Sequence, residues 1–226
     1  MDLGGFQKLS LLNYPEKTAC TVFTAGCNFR CPWCHNSGLV QGITELISQR
    51  EILEYLTKRR GLLEGICISG GEPLMRDDLP DFIRSVNDLE YAVKLDTNGS
   101  FPDQLEAMIA EGLIDYVAMD VKNAPEKYAE TIGLSAAPVD KILRSAKILR
   151  DSGIAYEFRT TVIREFHTAA DIEAIAQMLE GASVWYLQPF RDAPEVEWKG
   201  LHAPYSEEME KFGSIGNRYL KTMIRK

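Results

Sequence analysis

Short apolar segments alternate with longer amphipathic segments along most of the chain. Continuous apolar runs rich in β-branched residues are typical of strands that are buried on both faces of a parallel sheet. Such runs predict six strands, at residues 18–25, 65–69, 91–96, 116–120, 155–163 and 184–188. Residues 1–17 are predicted to form an extended lead-in, which Pro15 interrupts.

Hydrophobic residues at helical spacing fill the segments between and after the predicted strands. Thr44 and Thr168 are placed to cap helix N-termini, and Gly153 is placed to end a helix. The predicted helices are residues 44–61, 78–88, 100–112, 142–153, 168–179 and 206–223. Residues 190–205 are punctuated by prolines and are too long for a routine connection, so they predict either a functional surface or a flexible loop.

The alternation of strands and helices predicts an α/β fold with a parallel sheet and right-handed crossovers. This pattern alone does not separate an open doubly wound sheet from a curved partial barrel. In both folds ligands bind at the carboxyl ends of the strands. With 226 residues the chain can bury one substantial core. We therefore expect a single domain over residues 1–226, in which residues 190–226 form a loop and a C-terminal helix.

Composition and charge exclude several classes of function. The net charge of −8 argues against a nucleic-acid partner, because phosphate binding requires a basic surface. We expect no membrane association, since no window approaches the roughly 18 apolar residues of a membrane span and no secretory signal pattern is present. Five cysteines, three of them clustered, indicate metal rather than disulfide chemistry and a cytoplasmic location. Cys20 and Cys67 are expected in the core, and His167 and His202 at the surface.

The strongest chemical signal is a loop with Cys27, Cys31 and Cys34 directly after the first predicted strand. Their C-x3-C-x2-C spacing allows three thiolates to hold one soft metal centre and leaves one coordination position open. The segment Cys31-Pro-Trp-Cys34-His35 also fits covalent haem attachment or a thioredoxin-like redox pair. A Cys3His zinc site that uses His35 is a third alternative. The fourth is a [4Fe–4S] cluster with three protein thiolates.

Polar motifs follow the second, third and fourth predicted strands at their carboxyl ends. Gly70-Gly71-Glu72 would allow a ligand to approach the backbone closely, although the same residues suit a plain β–α turn. Asp96-Thr97-Asn98-Gly99 is a good turn and helix-cap sequence. Asp120 and Lys122 follow the next strand. Two carboxylates that converge at adjacent strand ends, Asp96 and Asp120, need a cation between them.

Four other residues are candidates for ligand binding. Arg159 lies in an otherwise apolar strand, so it must pair with a substrate carboxylate or with a core carboxylate such as Glu157. Gln188 ends the last predicted strand, where it could bind the edge of an adenine or cap the strand. His35 and Asn36 follow the last clustered cysteine. They could hydrogen-bond to cluster sulfurs or to adenine, or stabilise a local turn.

The segment Thr24-Ala-Gly-Cys-Asn-Phe-Arg-Cys-Pro-Trp-Cys-His-Asn36 resembles the signature of the radical S-adenosylmethionine enzymes. It is most similar to the glycyl-radical-enzyme activases, and among them to the activating proteins of anaerobic ribonucleotide reductase. The resemblance covers nearly the whole chain and thins after about residue 190. It implies a partial (β/α)6 barrel with a parallel six-stranded sheet, open on one side. It also implies a [4Fe–4S] cluster on Cys27, Cys31 and Cys34, whose remaining iron binds S-adenosylmethionine.

The same resemblance implies roles for the motifs at the strand ends. Gly70-Gly71-Glu72 would bind the methionine amino group with help from Asp96, and Asn98 belongs to the same cofactor-binding segment. By similarity to pyruvate formate-lyase activating enzyme, Asp120 would face the ribose and Lys122 the methionine carboxylate. Arg159, Gln188, His35 and Asn36 are included in the cofactor site. A monovalent cation is implied at Asp96, Thr97, the Met119 carbonyl and Asp120.

The predicted activity is the reductive cleavage of S-adenosylmethionine to a 5′-deoxyadenosyl radical, which abstracts a Cα hydrogen from a glycine of a partner enzyme. The expected partner is the large subunit of anaerobic ribonucleotide reductase, and the expected electron donor is reduced flavodoxin or ferredoxin. Alternatives are a pyruvate formate-lyase-type activase and a small-molecule enzyme similar to 7-carboxy-7-deazaguanine synthase. A non-catalytic iron–sulfur electron carrier is a third, against which Gly70-Gly71-Glu72 and Asp96 argue.

Overall fold

A computed structural model of the chain describes residues 2–42 and 44–225, except for the side chain of residue 2. The strands among these residues are β1 (Asp2–Ser10), β2 (Ala19–Thr24), β3 (Ile47–Ser48), β4 (Gly65–Gly70), β5 (Ala92–Thr97), β6 (Tyr116–Asp120), β7 (Ala155–Val162), β8 (Trp185–Pro189) and β9 (Thr222–Ile224). The helices are α1 (Ser37–Val40), α2 (Gln49–Lys58), α3 (Leu79–Asn87), α4 (Pro102–Ala110), α5 (Tyr128–Thr131), α6 (Val139–Ser152), α7 (Ala169–Met178) and α8 (Ser206–Gly216). In the part of the chain that is described, no helix has the length and apolar character needed to cross a lipid bilayer.

The strands form a nine-stranded, mostly parallel sheet that is open, because β3 and β9 are edge strands. The strands β2, β4 and β5 are successive parallel neighbours, as are β7, β8 and β9. The lead-in forms β1, which is antiparallel to both β2 and β3. All six predicted strands are present, so the predicted open α/β sheet is confirmed. The prediction of only six strands is wrong, since β1, β3 and β9 extend the sheet.

The predicted helix start at Thr44 is wrong. Ile47 and Ser48 instead pair with β1, and α2 begins at Gln49. Ser48 is the N-cap, and its side chain and that of Glu51 form a reciprocal capping box. The Thr44 hydroxyl donates to the Gly4 carbonyl oxygen at 2.6 Å, and the N-cap oxygen that accepts a helix N–H belongs to Ser48. A capping box satisfies two N-terminal N–H groups at once, and this favours the later start.

The predicted end of the last helix is also wrong. Helix α8 ends at Gly216, and residues 222–224 form β9 parallel to β8. The Asn217 side chain accepts the N–H of Thr222 at 3.0 Å and donates to its carbonyl at 3.1 Å. Leu220 and Met223 continue the helical spacing of apolar residues, but their pattern equally suits a turn followed by a short strand.

The chain divides into two compact units. Unit one comprises residues 1–28, 38–97 and 103–117, and unit two comprises residues 29–37, 98–102 and 118–226. In unit one, Cys20 of β2 and Cys67 of β4 are fully buried, as predicted. Burial raises the pKa of Cys20 to about 12, as expected for a thiol that serves only packing.

The expectation that His167 lies at the surface is wrong, whereas His202 is exposed as predicted. In unit two, Nδ1 of His167 accepts the N–H of Ile163 at 3.1 Å, and Nε2–H donates to the Lys122 carbonyl at 2.9 Å. Burial disfavours the imidazolium and lowers the pKa of His167 below its usual value, although the backbone contacts act in the opposite direction. His167 is therefore a neutral link between the chain after β6 and the chain after β7.

We expect the free energy of unfolding to decrease more steeply below pH 6.5 than it does in His167→Gln. An unfolded histidine takes up a proton near pH 6.5, whereas the folded protein resists it, so the unfolded state binds more protons as the pH falls. Between pH 7.5 and 5.5 this coupling costs the wild type at most about 1.4 kcal/mol. Urea unfolding followed by circular dichroism measures it. Equal pH dependence in the two proteins would contradict a buried neutral histidine.

An ion pair between a buried carboxylate and a guanidinium that is 34% exposed links the chain after β9 to β7. Glu157 on β7 is 1% exposed, and its two carboxylate oxygens accept hydrogen bonds from Arg225 at 2.9 and 2.8 Å. The Arg225 guanidinium also lies 3.8 Å from the centre of the Tyr186 ring. By contrast, Arg218 and Glu173 form a pair in which the arginine side chain is 61% exposed.

Removing the Arg225 cation leaves the buried Glu157 carboxylate without its main countercharge. We expect Arg225→Met to lower the free energy of unfolding by about 3 kcal/mol. The matched change in the exposed pair, Arg218→Met, should cost less than about 1 kcal/mol. Urea denaturation of both variants under identical conditions gives the comparison, and equal losses would contradict the assigned role of Arg225.

Candidate cofactor site

The cysteine loop, defined here as residues 27–36, follows β2. Cys27, Cys31 and Cys34 are partly exposed thiols, and none of them forms a disulfide. The main-chain N–H of Asn36 donates to Sγ of Cys34 at 3.3 Å, a contact that stabilises a thiolate. Soft, partly exposed sulfur ligands on one loop fit an iron–sulfur cluster. This contact belongs to the main chain of Asn36, and a contact of Asn36 with cluster sulfurs or adenine stays a prediction.

The thiols are not gathered around a single point. Among residues 2–42 and 44–225, no group of three or more His, Cys, Asp or Glu residues is arranged to hold one metal ion. Each thiolate of a [4Fe–4S] cluster binds a different iron, so such a cluster does not require three sulfurs to meet at one ion.

In unit two, residues 190–205 pack against the cysteine loop. They contain no helix or strand. The Trp33 side chain is buried in an apolar cluster whose other buried members are Ile163, Phe166, Phe190 and Val196. The position of the loop therefore depends on residues distant in the chain, which no sequence motif indicated.

Hydrogen bonds add to this apolar contact. The N–H of Trp198 donates to the Pro32 carbonyl at 3.2 Å. The imidazole Nε2–H of His35 donates to the Arg191 carbonyl at 2.6 Å. Residues 190–205 thus support the loop, and His35 takes part in that support.

Gly70 and Gly71 lie against the chain that leads into the cysteine loop, within unit one. A Cβ at Gly71 would lie 1.8 Å from the Gly26 carbonyl oxygen, and a Cβ at Gly70 would lie 2.3 Å from the Thr24 nitrogen. The N–H groups of Gly71 and Glu72 donate to the carbonyls of Thr24 and Gly26, each at 2.9 Å. The two glycines are therefore required by close backbone packing, a reason that the sequence did not indicate.

The Glu72 side chain is fully buried. Its carboxylate accepts the hydroxyl of Thr97 at 2.8 Å and the N–H of Leu74 at 3.1 Å. The first contact joins the chain after β4 to the end of β5, and the second caps a 3₁₀ turn at Pro73–Met75. The structure thus brings two of the predicted motifs together inside unit one.

Asp96, near the end of β5, is paired with Lys94, which the sequence analysis did not single out. Lys94 is 1% exposed, and its ammonium contacts the Asp96 carboxylate. Residues two apart in a strand share one face, and this allows the contact. A lysine inside an apolar strand is the sequence signal that could have identified it.

Asn98 and Met119 are buried in unit two. The Asn98 side-chain oxygen accepts the N–H and the hydroxyl of Ser100 at 3.0 and 2.5 Å, in the turn before α4. Gly99 has a φ of 75°, and a Cβ there would lie 2.2 Å from Cε of Met119. The turn that the sequence allowed at this position is present, and the Asn98 side chain stabilises it.

Asp120 accepts two charged hydrogen bonds in unit two, from Nζ of Lys122 at 2.9 Å and from Nε of Arg159 at 2.8 Å. The Asp120 side chain is 29% exposed, and those of Lys122 and Arg159 are 13% and 15% exposed. Arg159 thus has a carboxylate partner in Asp120, and Glu157, the other carboxylate suggested for it, pairs with Arg225.

The three charges stabilise one another. Burial alone would raise the pKa of Asp120, but Arg159 and Lys122 lower it well below its usual range. Burial alone would lower the pKa of Lys122, whereas the negative charges of Asp120 and of a Cys31 thiolate raise it above its usual value. The Lys122 ammonium also lies 5.0 Å from the centre of the Trp33 ring. At neutral pH the carboxylate, the ammonium and the guanidinium are all ionised.

A cavity of about 480 Å³ lies at the carboxyl end of β8 in unit two. It is lined by His35, Thr161, Gln188, Pro189, Arg191, Asp192 and Ala193. Its volume is within the range of small-molecule sites, roughly 300–1,000 Å³. Two residues assigned to the cofactor from sequence, His35 and Gln188, are therefore brought together.

Known proteins share both the sequence and the fold. The sequence profile of the radical SAM superfamily matches residues 21–179. A candidate glycyl-radical enzyme activating enzyme of Methanocaldococcus jannaschii is 32% identical over 98% of this chain and 94% of its own length. A second such candidate from that organism is 28% identical over 97% of this chain and 84% of its own.

The fold agrees with these matches. A radical SAM methyltransferase from Sphaerobacter thermophilus superimposes with a TM-score of 0.76 at 18% identity, over 96% of this chain and 68% of that one. At this identity the comparison supports the fold alone. Because the family profile spans most of the chain, and a relative with 32% identity matches nearly all of it, the chain belongs to the radical SAM superfamily.

Proposed function

We propose that the protein is a glycyl-radical-enzyme activase that uses a [4Fe–4S] cluster and S-adenosylmethionine, and that its partner is anaerobic ribonucleoside-triphosphate reductase. The observation that carries the proposal is the match to the M. jannaschii candidate activase over 98% of this chain and 94% of that protein. The choice of the reductase rests on the segment from Thr24 to Asn36.

Cys27, Cys31 and Cys34 are assigned to the cluster. Their partial exposure and the N–H contact to Cys34 support this role. When bound, the reduced cluster would supply one electron for the cleavage of S-adenosylmethionine to methionine and a 5′-deoxyadenosyl radical, and this radical would take a Cα hydrogen from a glycine of the partner. The protein itself positions and desolvates these groups. Reduced flavodoxin or ferredoxin is the proposed electron donor.

Lys122 is assigned to the methionine carboxylate. Its ammonium lies beside the Trp33 ring and within the electrostatic influence of Cys31, so it is already held near the cluster ligands of unit two. When Lys122 turns to a ligand carboxylate, Arg159 remains on Asp120 and keeps that carboxylate ionised and oriented. Asp120 is then available to accept hydrogen bonds from ribose hydroxyls.

The methionine amino group is assigned to the Gly70-Gly71 main chain and to the carboxylate of Asp96. The Glu72 carboxylate is buried and anchors Thr97, so we assign it to the shape of the site. His35 and Gln188 line a cavity of adequate size for an adenine ring, and we assign both to it. Asn98 contributes by stabilising its turn.

Residues 190–205 are assigned to the docking of the partner. Trp198 is 57% exposed, although its main chain binds the cysteine loop. A large exposed aromatic side chain is typical of residues that contribute most to protein interfaces. Its attachment to the loop would place the bound partner close to the cluster ligands of unit two.

The first test of this proposal is metal content. Anaerobic reconstitution should give about four irons and four sulfides per chain. Alanine at Cys27, Cys31 or Cys34 should remove most of the iron, because each of the three thiolates binds one iron of the cluster. Cys20→Ala and Cys67→Ala should retain it, since both thiols are in the core. Full iron content in Cys31→Ala, or stoichiometric zinc without iron, would refute the cluster assignment.

The second test is the radical on the partner. With reductant, S-adenosylmethionine and the anaerobic reductase, we expect a glycine-centred doublet in electron paramagnetic resonance. Its amount should follow the deoxyadenosine formed, because each cleavage supports one hydrogen abstraction. Trp198→Ala should weaken the signal and leave S-adenosylmethionine binding unchanged. Leu62→Ala, which shortens a hydrophobic side chain that is 65% exposed in unit one, is the matched control and should change neither.

Other outcomes distinguish the alternatives. A radical on a formate-lyase-type enzyme and none on the reductase would replace the proposed partner. Turnover of a deazapurine without any protein partner would overturn the activase function itself.

A further inference from the structure

Lys94 is a buried cation at a residue assigned to the cofactor. Its ammonium contacts the Asp96 carboxylate, and the two side chains are 2% and 15% exposed. Strand pairing places Lys94 opposite Cys67 of β4, whose Sγ is 3.8 Å from Nζ. The Tyr116 ring centre is 5.9 Å from the same nitrogen. These contacts enclose the ammonium within unit one.

Charge balance is the physical reason to expect a metal ion beside Asp96. A poorly solvated carboxylate requires a positive partner, and a buried ammonium requires a negative one. The contact between the Lys94 ammonium and the Asp96 carboxylate satisfies both requirements. Lys94 is part of the chain, so its charge is always present beside Asp96. A potassium or sodium ion would have to lose its hydration shell to take the same place.

The other residues implied for the metal ion are also occupied. In unit two, Asp120 accepts hydrogen bonds from both Lys122 and Arg159. The Thr97 hydroxyl donates to the Glu72 carboxylate. The residues of this chain therefore do not fit a site whose main purpose is to bind a monovalent metal ion.

We propose that Lys94 is the resident cation of the cofactor site, which orients Asp96 for S-adenosylmethionine and replaces the monovalent metal ion. This inference rests on the proposed function, since it assumes that S-adenosylmethionine binds at Asp96. Lys94 is a positioning residue, because it acts through Asp96. The consequence is that the affinity for S-adenosylmethionine does not depend on which monovalent cation is present.

The test is calorimetric titration of S-adenosylmethionine into the reconstituted protein in KCl, NaCl or choline chloride at equal ionic strength. The Kd of the wild type should vary by less than about twofold among the three salts, because Lys94 already supplies the positive charge. Choline is too bulky to act as a site-bound ion and serves as the metal-free reference. Lys94→Met keeps an unbranched apolar stem and removes the charge. Its Kd should rise at least about tenfold in choline chloride, and KCl or NaCl should partly restore it.

Lys147→Met is the matched control. It removes the same charge from an exposed pair with Asp151, whose side chains are 69% and 60% exposed. Its affinity should stay within about twofold of the wild type in every salt. If Lys94→Met fails to fold, the double variant Lys94→Met/Asp96→Asn removes both charges of the pair together, so that no carboxylate loses its ammonium. That protein should bind S-adenosylmethionine more weakly and show no response to KCl.

Two results would overturn the inference: a wild-type affinity that falls about tenfold in choline chloride, or a Lys94→Met protein that matches the wild type in all salts. A double variant that binds as tightly as the wild type would also overturn it. A reconstituted wild type that binds no S-adenosylmethionine in any salt would instead overturn the proposed function, and this inference with it.

Discussion

The contact between Gly70-Gly71 and residues 24–26 is the constraint on which the candidate site in unit one depends. A Cβ at either glycine would overlap main-chain atoms, at 2.3 and 1.8 Å. Because residues 24–26 lead directly into Cys27, this contact determines where the cysteine loop begins. It also places Glu72 so that its carboxylate reaches Thr97. The absence of a Cβ atom at these two glycines thus positions the start of the cysteine loop, Glu72 and Thr97 relative to one another.

Two carboxylates of unit two, Glu157 and Asp120, differ in their exposure and in the cations that they contact. Glu157 is 1% exposed, and its pair with Arg225 holds an edge strand in place. Asp120 is 29% exposed and contacts two cations, so one of them can leave for a ligand while the other keeps the carboxylate ionised. A carboxylate that contacts two cations keeps a countercharge when one of them turns to another partner.

Local sequence patterns predicted correctly those strands and helices for which no alternative local structure competes. The six central strands are continuous apolar runs, and Thr168 and Gly153 mark the ends of helices as expected. The errors lie where a competing local structure is more stable. Ser48 and Glu51 form a capping box that outweighs Thr44, and the segment after Gly216 pairs with β8 instead of continuing a helix. Periodicity alone cannot rank such alternatives, because it does not include the hydrogen bonds that each one gains.

The sequence by itself indicated the family and the order of the central strands along the chain, since these depend on residue types at short spacing. The cluster on the cysteine loop stays a prediction from the same motif. Tertiary structure decided which charges meet. Lys94 with Asp96, Arg159 with Asp120 and Glu157 with Arg225 are pairs that only strand register and burial establish. It also decided that His167 is buried and that residues 190–205 support the cysteine loop. Each of these contacts joins elements that are neighbours in the fold through packing and hydrogen bonds. A local sequence pattern does not show which distant elements become neighbours.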